Sequence, residues 1–174
     1  MFRVWETQTW TCQKWSNFSS YCQCAVWSPD SETLAIVIHG TSIISCLAFP
    51  KVPPRIGKFF HGWDLWVEGY YIRSDDIGEY AVMSKSGKEI KVGGPIQDIA
   101  WDATGERFVV TFSGKNEPLI AVYATTLSPF LDFVPRGFIR GAKVAGRPCL
   151  VKFRPNFSRG ALLATVRKLK RCQF

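Results

Sequence analysis

Residues Asp98 to Phe112 read DIAWDATGERFVVTF. A short apolar strand that ends in Trp101 is followed by a turn containing Asp, Thr and Gly, and then by a second apolar strand. The same layout occurs in CAVWSPDSETLAIVI, from Cys24 to Ile38, and in LVKFRPNFSRGALLATV, from Leu150 to Val166. Three copies of one strand-turn-strand unit predict a repeat protein made of β-sheets.

Alignment of the three segments predicts equivalent structural positions in the repeat. Trp27, Trp101 and Phe153 fall in one column at the end of the first strand. The turns that follow contain residues that suit a tight bend, because Pro presets φ and Asp, Asn and Gly tolerate left-handed backbone. The predicted turn positions of the repeat are Asp30, Gly105, Pro155 and Gly160.

The spacing of these aromatics predicts one insertion. Phe153 lies 52 residues after Trp101, but Trp101 lies 74 residues after Trp27, against ~40–45 residues for a WD-repeat blade. We place the extra residues in a long surface loop from Pro50 to about Tyr80, which is rich in Pro and Gly. Its aromatic side chains are expected either to bind a partner or to pack back onto the blades; the candidate partner-binding residues are Phe59, Phe60, Trp63 and Trp66.

The strands between the repeat segments complete the predicted architecture. The runs 118–126 and 131–139 finish one four-stranded unit, and 41–49 with 79–92, which has a hairpin turn at Ser86-Gly87, extend the other. Residues 2–6 are predicted as the last part of a preceding unit. The fold class is therefore all-β: a partial, open WD-repeat-type β-propeller over residues 1–166, with about two full blades, flanking part-blades and a basic tail at 167–174. So few blades cannot close a ring of the usual four to eight.

The net positive charge is concentrated at the C-terminal end of the sequence. Residues 1–135 contain eleven Lys and Arg and all fourteen acids, whereas residues 136–174 contain eleven Lys and Arg and no acid. A basic segment of this kind either forms a solvated edge and tail or contacts an acidic protein or nucleic acid. No ordered series of aromatic residues for base stacking accompanies the charge.

Sequence motifs for catalysis or cofactor binding are absent. The chain has no GxSxG, HExxH or P-loop spacing, and its two histidines, His39 and His61, are predicted to lie in a turn and in the insertion. Asp75-Asp76 is expected to cap a turn. The six cysteines are scattered without zinc-finger spacing and are predicted to be reduced thiols. We therefore predict no enzyme activity, no cofactor and no metal.

The sequence shows neither the pattern of a secretory signal peptide nor that of a membrane-spanning helix. The first residues contain no basic region followed by an apolar core of the kind found in secretory signal peptides. The most apolar run, residues 34–49, is interrupted by His39, Gly40, Thr41 and Ser42 before it reaches the ~20 residues of a spanning helix. The expectation is an intracellular chain that contacts membranes only through a partner.

Five blocks in this order resemble the C-terminal part of the propeller of the aladin family of WD-repeat nucleoporins. They are FRVWETQTWTCQKW (2–15), WSPDS (27–31), GGPIQDIAWDATGERFVV (93–110), SPFLDFVPRGFIRG (128–141) and FRPNFSRGALLA (153–164). The sequence departs from the family after Val166, where RKLKRCQF replaces the expected next strands, and family members are longer at both ends.

The resemblance implies a non-catalytic scaffold of the nuclear pore complex at the nuclear envelope that supports nucleocytoplasmic transport. Implied partners are other nucleoporins, among them a transmembrane pore protein, and the remaining propeller blades of a full-length chain. A role at the mitotic spindle is also implied. The alternative function, which depends only on the charge of residues 136–174, is a basic nucleic-acid-binding module.

Overall fold

The computed structural model describes residues 1–16, 18–49, 65–67, 70–83, 87, 89–114, 118–127, 131–142, 145–157 and 159–169. Within these residues the regular structure consists of β-strands, with no α-helix. The fifteen strands are β1 Phe2–Glu6, β2 Thr11–Trp15, β3 Cys22–Trp27, β4 Thr33–Ile38, β5 Ile43–Ala48, β6 Leu65–Val67, β7 Tyr70–Asp76, β8 Tyr80–Met83, β9 Glu89–Val92, β10 Ile96–Trp101, β11 Arg107–Phe112, β12 Leu119–Thr126, β13 Asp132–Arg140, β14 Ala145–Phe153 and β15 Leu163–Leu169.

The strands form five separate antiparallel sheets. Two are large: β10-β11-β12-β13 is a four-stranded meander, and β3-β4-β5-β7-β6 has five strands. The hairpins β1-β2, β8-β9 and β14-β15 form three two-stranded sheets. Because each strand pairs mainly with a near neighbour in the chain, short turns are sufficient to connect them.

Alternation along the central strands explains how the sheets stack. In β4, Ala35 and Val37 face a core shared with the four-stranded sheet, whereas Leu34 and Ile36 face a second core shared with the β1-β2 hairpin. All six residues of β4 are buried, as expected for a strand that is covered on both faces.

The four-stranded sheet also has two covered faces. Phe108, Val110 and Phe112 of β11 contribute to the core shared with β4 and β5, and Val109 packs with Val151 of β14 on the opposite face. The order of packing is therefore the β1-β2 hairpin, the five-stranded sheet, the four-stranded sheet and the β14-β15 hairpin. No sheet closes into a barrel in the described part of the chain. The predicted fold class, all-β with two full sheets between part-sheets in an open arrangement, is confirmed.

The segment predicted as a long surface loop contains two strands. Residues Tyr70–Asp76 form β7, which pairs with β5 from Ala48↔Tyr71 to Ile43↔Asp76, and Leu65–Val67 form β6 on its other side. The loop prediction is therefore wrong for these residues, because their backbone groups pair with β5, which lies well before them in the chain. β8 and β9, which were expected to extend this sheet, form their own hairpin instead.

Both ends of the chain also differ from the sequence interpretation. Residues 2–6 were predicted as the last part of a preceding unit, and they form a hairpin with a second strand that was not predicted, β2, from Phe2↔Trp15 to Glu6↔Thr11. The boundary of the basic tail was placed at residue 167, yet β15 continues to Leu169 and Arg167 pairs with Pro148. The Arg167 side chain donates to the carbonyl oxygens of Pro118, at 2.8 Å, and Gly146, at 3.3 Å. Arg167 is thus part of the fold.

Candidate protein-interaction surfaces

The three repeat aromatics occupy matching places in their sheets. Each one ends the first strand of its unit and lies opposite the first or second residue of the next strand. Their exposure differs, because 43 % of Trp27 but only 7 % of Trp101 is accessible, and Phe153 is intermediate. The pairs are Trp27↔Leu34, Trp101↔Phe108 and Phe153↔Leu163.

A backbone hydrogen bond closes the turn after each aromatic. In all three turns the residue directly after the aromatic donates its amide N–H to a carbonyl oxygen at the far end of the turn. Two of the closing residues add a side-chain bond: Ser28 Oγ accepts from the Thr33 amide at 2.9 Å, and Asp102 Oδ1 accepts from the Arg107 amide at 2.8 Å. Sequence reasoning missed Ser28 and Asp102, although a short polar residue directly after the aromatic is a signal for such a turn. The shared backbone bonds run from Ser28 N to Thr33 O, from Asp102 N to Arg107 O and from Arg154 N to Leu162 O.

The predicted turn residues lie in these turns and have separate local roles. Asp30 accepts from the Ser28 hydroxyl and from the Glu32 amide. Gly105 has φ +78°, which lies in the left-handed region that favours glycine. In the third turn, Pro155 is exposed and Gly160 has φ +114°. Their equivalence as repeat positions stays a prediction.

The aromatic residues proposed to bind a partner fall largely outside the structural description. Phe59, Phe60 and Trp63 lie outside the described residues. Trp66 lies in β6 opposite Tyr71, and its side chain is not described. Their partner-binding role therefore stays a prediction.

Two other apolar surfaces are exposed, one at each end of the stack. In β1, Phe2 and Val4 pack into the core, so Trp5 points the other way and is 49 % exposed. In the last hairpin, Leu150 pairs with Val166, and both are exposed on the face opposite buried Val151. The two outermost sheets therefore present uncovered apolar side chains in addition to the faces that pack inward.

The basic segment is mainly a set of exposed side chains. Arg167, which hydrogen-bonds inside the fold, and Arg147 are only partly exposed. Neither the spacing nor the pairing of these residues indicates nucleic-acid recognition, so that alternative stays a prediction. The exposed and described members are Arg136, Arg140, Lys152, Arg154, Arg159 and Lys168.

The histidine that the structure describes is held by neighbours in the turn between β4 and β5. The His39 ring stacks on Tyr21 at 4.5 Å between centroids, and its Nδ1 lies 2.8 Å from the Tyr21 hydroxyl and 2.9 Å from Gln23 Oε1. The predicted turn position of His39 is confirmed, whereas His61 lies outside the described residues.

Cysteine chemistry in the interior is suppressed by burial. Burial is the largest cause that raises the pKa of the Cys24 thiol to about 12, and it also raises the pKa of Cys46. The described cysteines are free thiols.

Across the described residues, no group of three or more His, Cys, Asp or Glu side chains is arranged to hold a metal ion. The described residues form no helix that is long and apolar enough to cross a membrane.

The chain is similar in sequence to known proteins, among them a plant aladin. Over 168 residues it is 30 % identical to aladin of Arabidopsis thaliana, and the match covers 94 % of this chain. The resemblance to aladin is confirmed. The chain spans 33 % of the length of that relative, which is consistent with a C-terminal part of an aladin chain. No family model matches the sequence.

Similarity to solved structures is low, as two examples show. Hsv2 from K. marxianus has a TM-score of 0.42 at 15 % identity, covering 95 % of this chain and 50 % of its own. A protein from Lactobacillus plantarum has a TM-score of 0.24 at 18 % identity, covering 68 % and 45 %. TM-scores this low do not establish a shared fold, so the all-β assignment depends on the strands and sheets themselves.

Proposed function

We propose that the chain is a non-catalytic scaffold module of the nuclear pore complex that supports nucleocytoplasmic transport. The observation that carries this proposal is the similarity to aladin across almost the whole chain. The apolar side chains exposed on the two end sheets support it, because such surfaces are typical of protein-binding sites. The module is proposed to act by holding other proteins in place.

The proposed partners are of two kinds. The end sheets would pack against further propeller blades of a longer aladin chain, since repeat proteins gain stability from each neighbouring interface. The completed propeller would then bind other nucleoporins, among them a transmembrane pore protein that fixes it at the nuclear envelope. The spindle role stays a prediction, since no observation on the chain bears on it.

Localisation of a fluorescently tagged chain tests the proposal. The chain, co-expressed with the remaining blades of a full-length relative, is expected to collect at the nuclear rim. The variants Trp5→Lys and Val166→Lys are expected to weaken that signal, because each places a charge on an apolar end face. Met83→Lys is the matched control, since Met83 is also exposed but lies on β8, outside both end sheets. A diffuse signal for the unmodified chain would contradict the proposal.

Salt dependence separates this function from nucleic-acid binding. Non-specific binding through Lys and Arg weakens steeply as salt concentration rises, because each phosphate contact releases a counterion. We expect the purified chain to show little affinity for single-stranded RNA or duplex DNA at physiological salt. Tight binding that falls steeply with salt and is lost on Arg154→Glu with Arg159→Glu would favour the nucleic-acid function instead.

A further inference from the structure

The two end hairpins each correspond to half of a complete sheet. In the four-stranded sheet the chain runs in order through β10, β11, β12 and β13. The β14-β15 hairpin follows this sheet and packs on it through Val151, so its strands correspond to the first two of a unit. The β1-β2 hairpin precedes β3, so its strands correspond to the last two of a unit. The two hairpins together supply the four strands of one sheet.

The strand edges of these hairpins are complementary. Among the described strands, β15 pairs only with β14, and β1 pairs only with β2. In the four-stranded sheet the second and third strands, β11 and β12, are antiparallel neighbours. Since β15 is the second strand of its unit and β1 is the third, antiparallel pairing of β15 with β1 would build the same order. Strand edges of this kind recruit another strand.

An exposed strip on the four-stranded sheet marks where a further hairpin would pack. The face toward β14-β15 is covered over its inner strands, where Val109 and Ile120 pack with Val151. On the outer strand β13, Ile139 pairs with Ile120 and so lies on this face, but Ile139 is exposed. Val134 of the same strand is exposed as well. The β14-β15 hairpin therefore covers only the inner part of this face.

The β1-β2 hairpin of a second copy fits the uncovered outer part. In β1, Phe2 and Val4 face the five-stranded sheet of their own chain, whereas Trp5 points the other way and is exposed. With β1 paired to β15, Trp5 of the second copy would face β13. On the opposite face of the joined sheet, Leu150 and Val166 would lie on the side of Phe2 and Val4, which the second copy's five-stranded sheet covers. One pairing thus covers the apolar side chains of both end hairpins.

The number of strands indicates how many copies complete the assembly. Each copy supplies two complete units and two half units, which amount to three blades. Two copies joined at both ends supply six blades, within the usual four to eight of a closed propeller, whereas three copies would supply nine. We propose that, without further blades, two copies of this chain close a six-bladed ring in which β15 of each copy pairs with β1 of the other. This inference goes beyond the proposed scaffold function and does not depend on it.

Sedimentation equilibrium of the purified 174-residue chain tests the inference, because it measures mass in solution. One copy has a mass of 19.7 kDa. As the concentration rises, the average mass should increase to that of two copies and then stay constant, since a closed ring with twofold symmetry leaves neither end unpaired. An open head-to-tail assembly would continue to grow.

Single variants locate the contact. Trp5→Lys, Ile139→Lys and Val166→Lys should each raise the dissociation constant of the dimer at least about tenfold, because each places a charge on a face that becomes covered. All three side chains are exposed in the single chain, so its fold should be retained, which circular dichroism checks. The control is Met83→Lys, because Met83 is also exposed but lies on β8, outside both end hairpins. It should dimerise like the unmodified chain.

Mixing two variants distinguishes end-to-end pairing from other contacts. In the Trp5→Lys dimer both contacts carry the defect on the β1 side, and in the Val166→Lys dimer both carry it on the β15 side. A mixed pair combines the two defects in one contact and leaves the other contact intact. The mixture should therefore associate more strongly than either variant alone. Contacts between like ends would not produce this gain.

Four outcomes would overturn the inference. They are a monomer at every concentration, growth past two copies, equal weakening by Met83→Lys, and no gain in association on mixing. The nuclear-rim experiment is separate, because the other blades of a full-length relative are present there and occupy both ends. A chain that reaches the rim but never dimerises would contradict only the two-copy ring, and a chain that dimerises but stays diffuse would contradict only the scaffold function.

Discussion

The indole Nε1 of Trp101 donates a hydrogen bond of 3.1 Å to Thr125 Oγ1 in the core of the four-stranded sheet. The same hydroxyl donates to the carbonyl oxygen of Gly105, so Thr125 connects strand β10 to the turn that leads into β11. All of these groups are buried. The aromatic position of this repeat is therefore fixed by a polar contact as well as by packing.

Thr125→Val is expected to lower the stability of the chain. Valine has nearly the same shape as threonine, but it leaves both the Trp101 indole N–H and the Gly105 carbonyl without this partner, at a cost of about 1–3 kcal/mol. The apparent melting temperature measured by circular dichroism should fall by several degrees. The comparison is Trp27→Phe. This substitution should change the melting temperature much less, because Trp27 is 43 % exposed. Equal shifts for both variants would show that the Thr125 contact contributes little.

Gly93→Ala, which adds only one carbon atom, is expected to lower the stability of the chain strongly. Gly93 has φ +152°, and a Cβ there would lie 2.4 Å from the Gly78 carbonyl oxygen and 2.6 Å from Glu79 Cα. The clash is with main chain, which cannot move aside easily, so the β8-β9 hairpin would have to shift. The expected result is a loss of more than about 3 kcal/mol or failure to fold.

Gly114→Ala provides the matched control for this steric argument. Gly114 also has positive φ, +79°, but a Cβ there would meet no atom within 4 Å. It should therefore show only the cost of left-handed backbone for a residue other than glycine, about 1–2 kcal/mol. If denaturant titration gave the same loss for both variants, the close approach of Gly93 to Gly78 would not be a real constraint.

Local patterns predict the repeat strands well, because they depend on nearby residues. In residues 98–112 and 24–38, two short apolar runs separated by a turn with Asp, Pro or Gly are sufficient to place β10, β11, β3 and β4. Their burial follows from having neighbours on both faces. The turn position of His39 was also predicted, since His39 precedes Gly40, a residue that favours turns, between two apolar runs.

Long-range pairing and the meeting of distant side chains could not be predicted in the same way. The spacing between Trp27 and Trp101 shows that residues are inserted, but it does not show that Tyr70–Asp76 pairs with β5. Likewise, Asp75 and Asp132 are far apart in the sequence, and only the packing of three sheets brings both to one pocket. These features depend on tertiary structure, which a local pattern does not encode.

Alkylation should distinguish the buried cysteines from the exposed ones. The reactive form is the thiolate, and with a pKa raised to about 12 only about one Cys24 thiol in ten thousand is ionised at pH 8. Cys12 and Cys149 are exposed and should react with iodoacetamide first, as followed by mass spectrometry of the individual peptides. In denaturant all four sites, with buried Cys46, should react at similar rates. Fast labelling of Cys24 or Cys46 in the folded chain would contradict the described packing.

High pH should destabilise the chain for the same reason. In the unfolded state Cys24 and Cys46 ionise near pH 9, whereas burial keeps both protonated in the folded state. Because the folded state then binds more protons than the unfolded state, the free energy of unfolding falls as the pH rises above about 9. Denaturant titrations at pH 7.5 and pH 10 measure this change. Cys24→Ala with Cys46→Ala should reduce the difference, and an unchanged difference would assign it to other groups.

The isolated chain is expected to associate through its two end sheets. Trp5 on the first hairpin and the Leu150-Val166 pair on the last are exposed, and each hairpin consists of only two strands. A sheet with so few strands is marginal without a neighbour, and its unpaired edge can recruit another strand. Repeat stability is approximately the sum of the interfaces between neighbours, so covering these faces should stabilise the whole chain.

Analytical ultracentrifugation would measure this association directly. We expect an average mass that increases with concentration up to that of a dimer for the chain alone, and a single soluble species after co-expression with the other blades of a full-length aladin. The double variant Trp5→Lys with Val166→Lys should oligomerise less, because both apolar faces then carry a charge, whereas Met83→Lys should not change the distribution. The added blades should also raise the melting temperature, since they bind only the folded state. A soluble monomer with a sharp cooperative melt that the added blades leave unchanged would show instead that the chain is a complete domain without them.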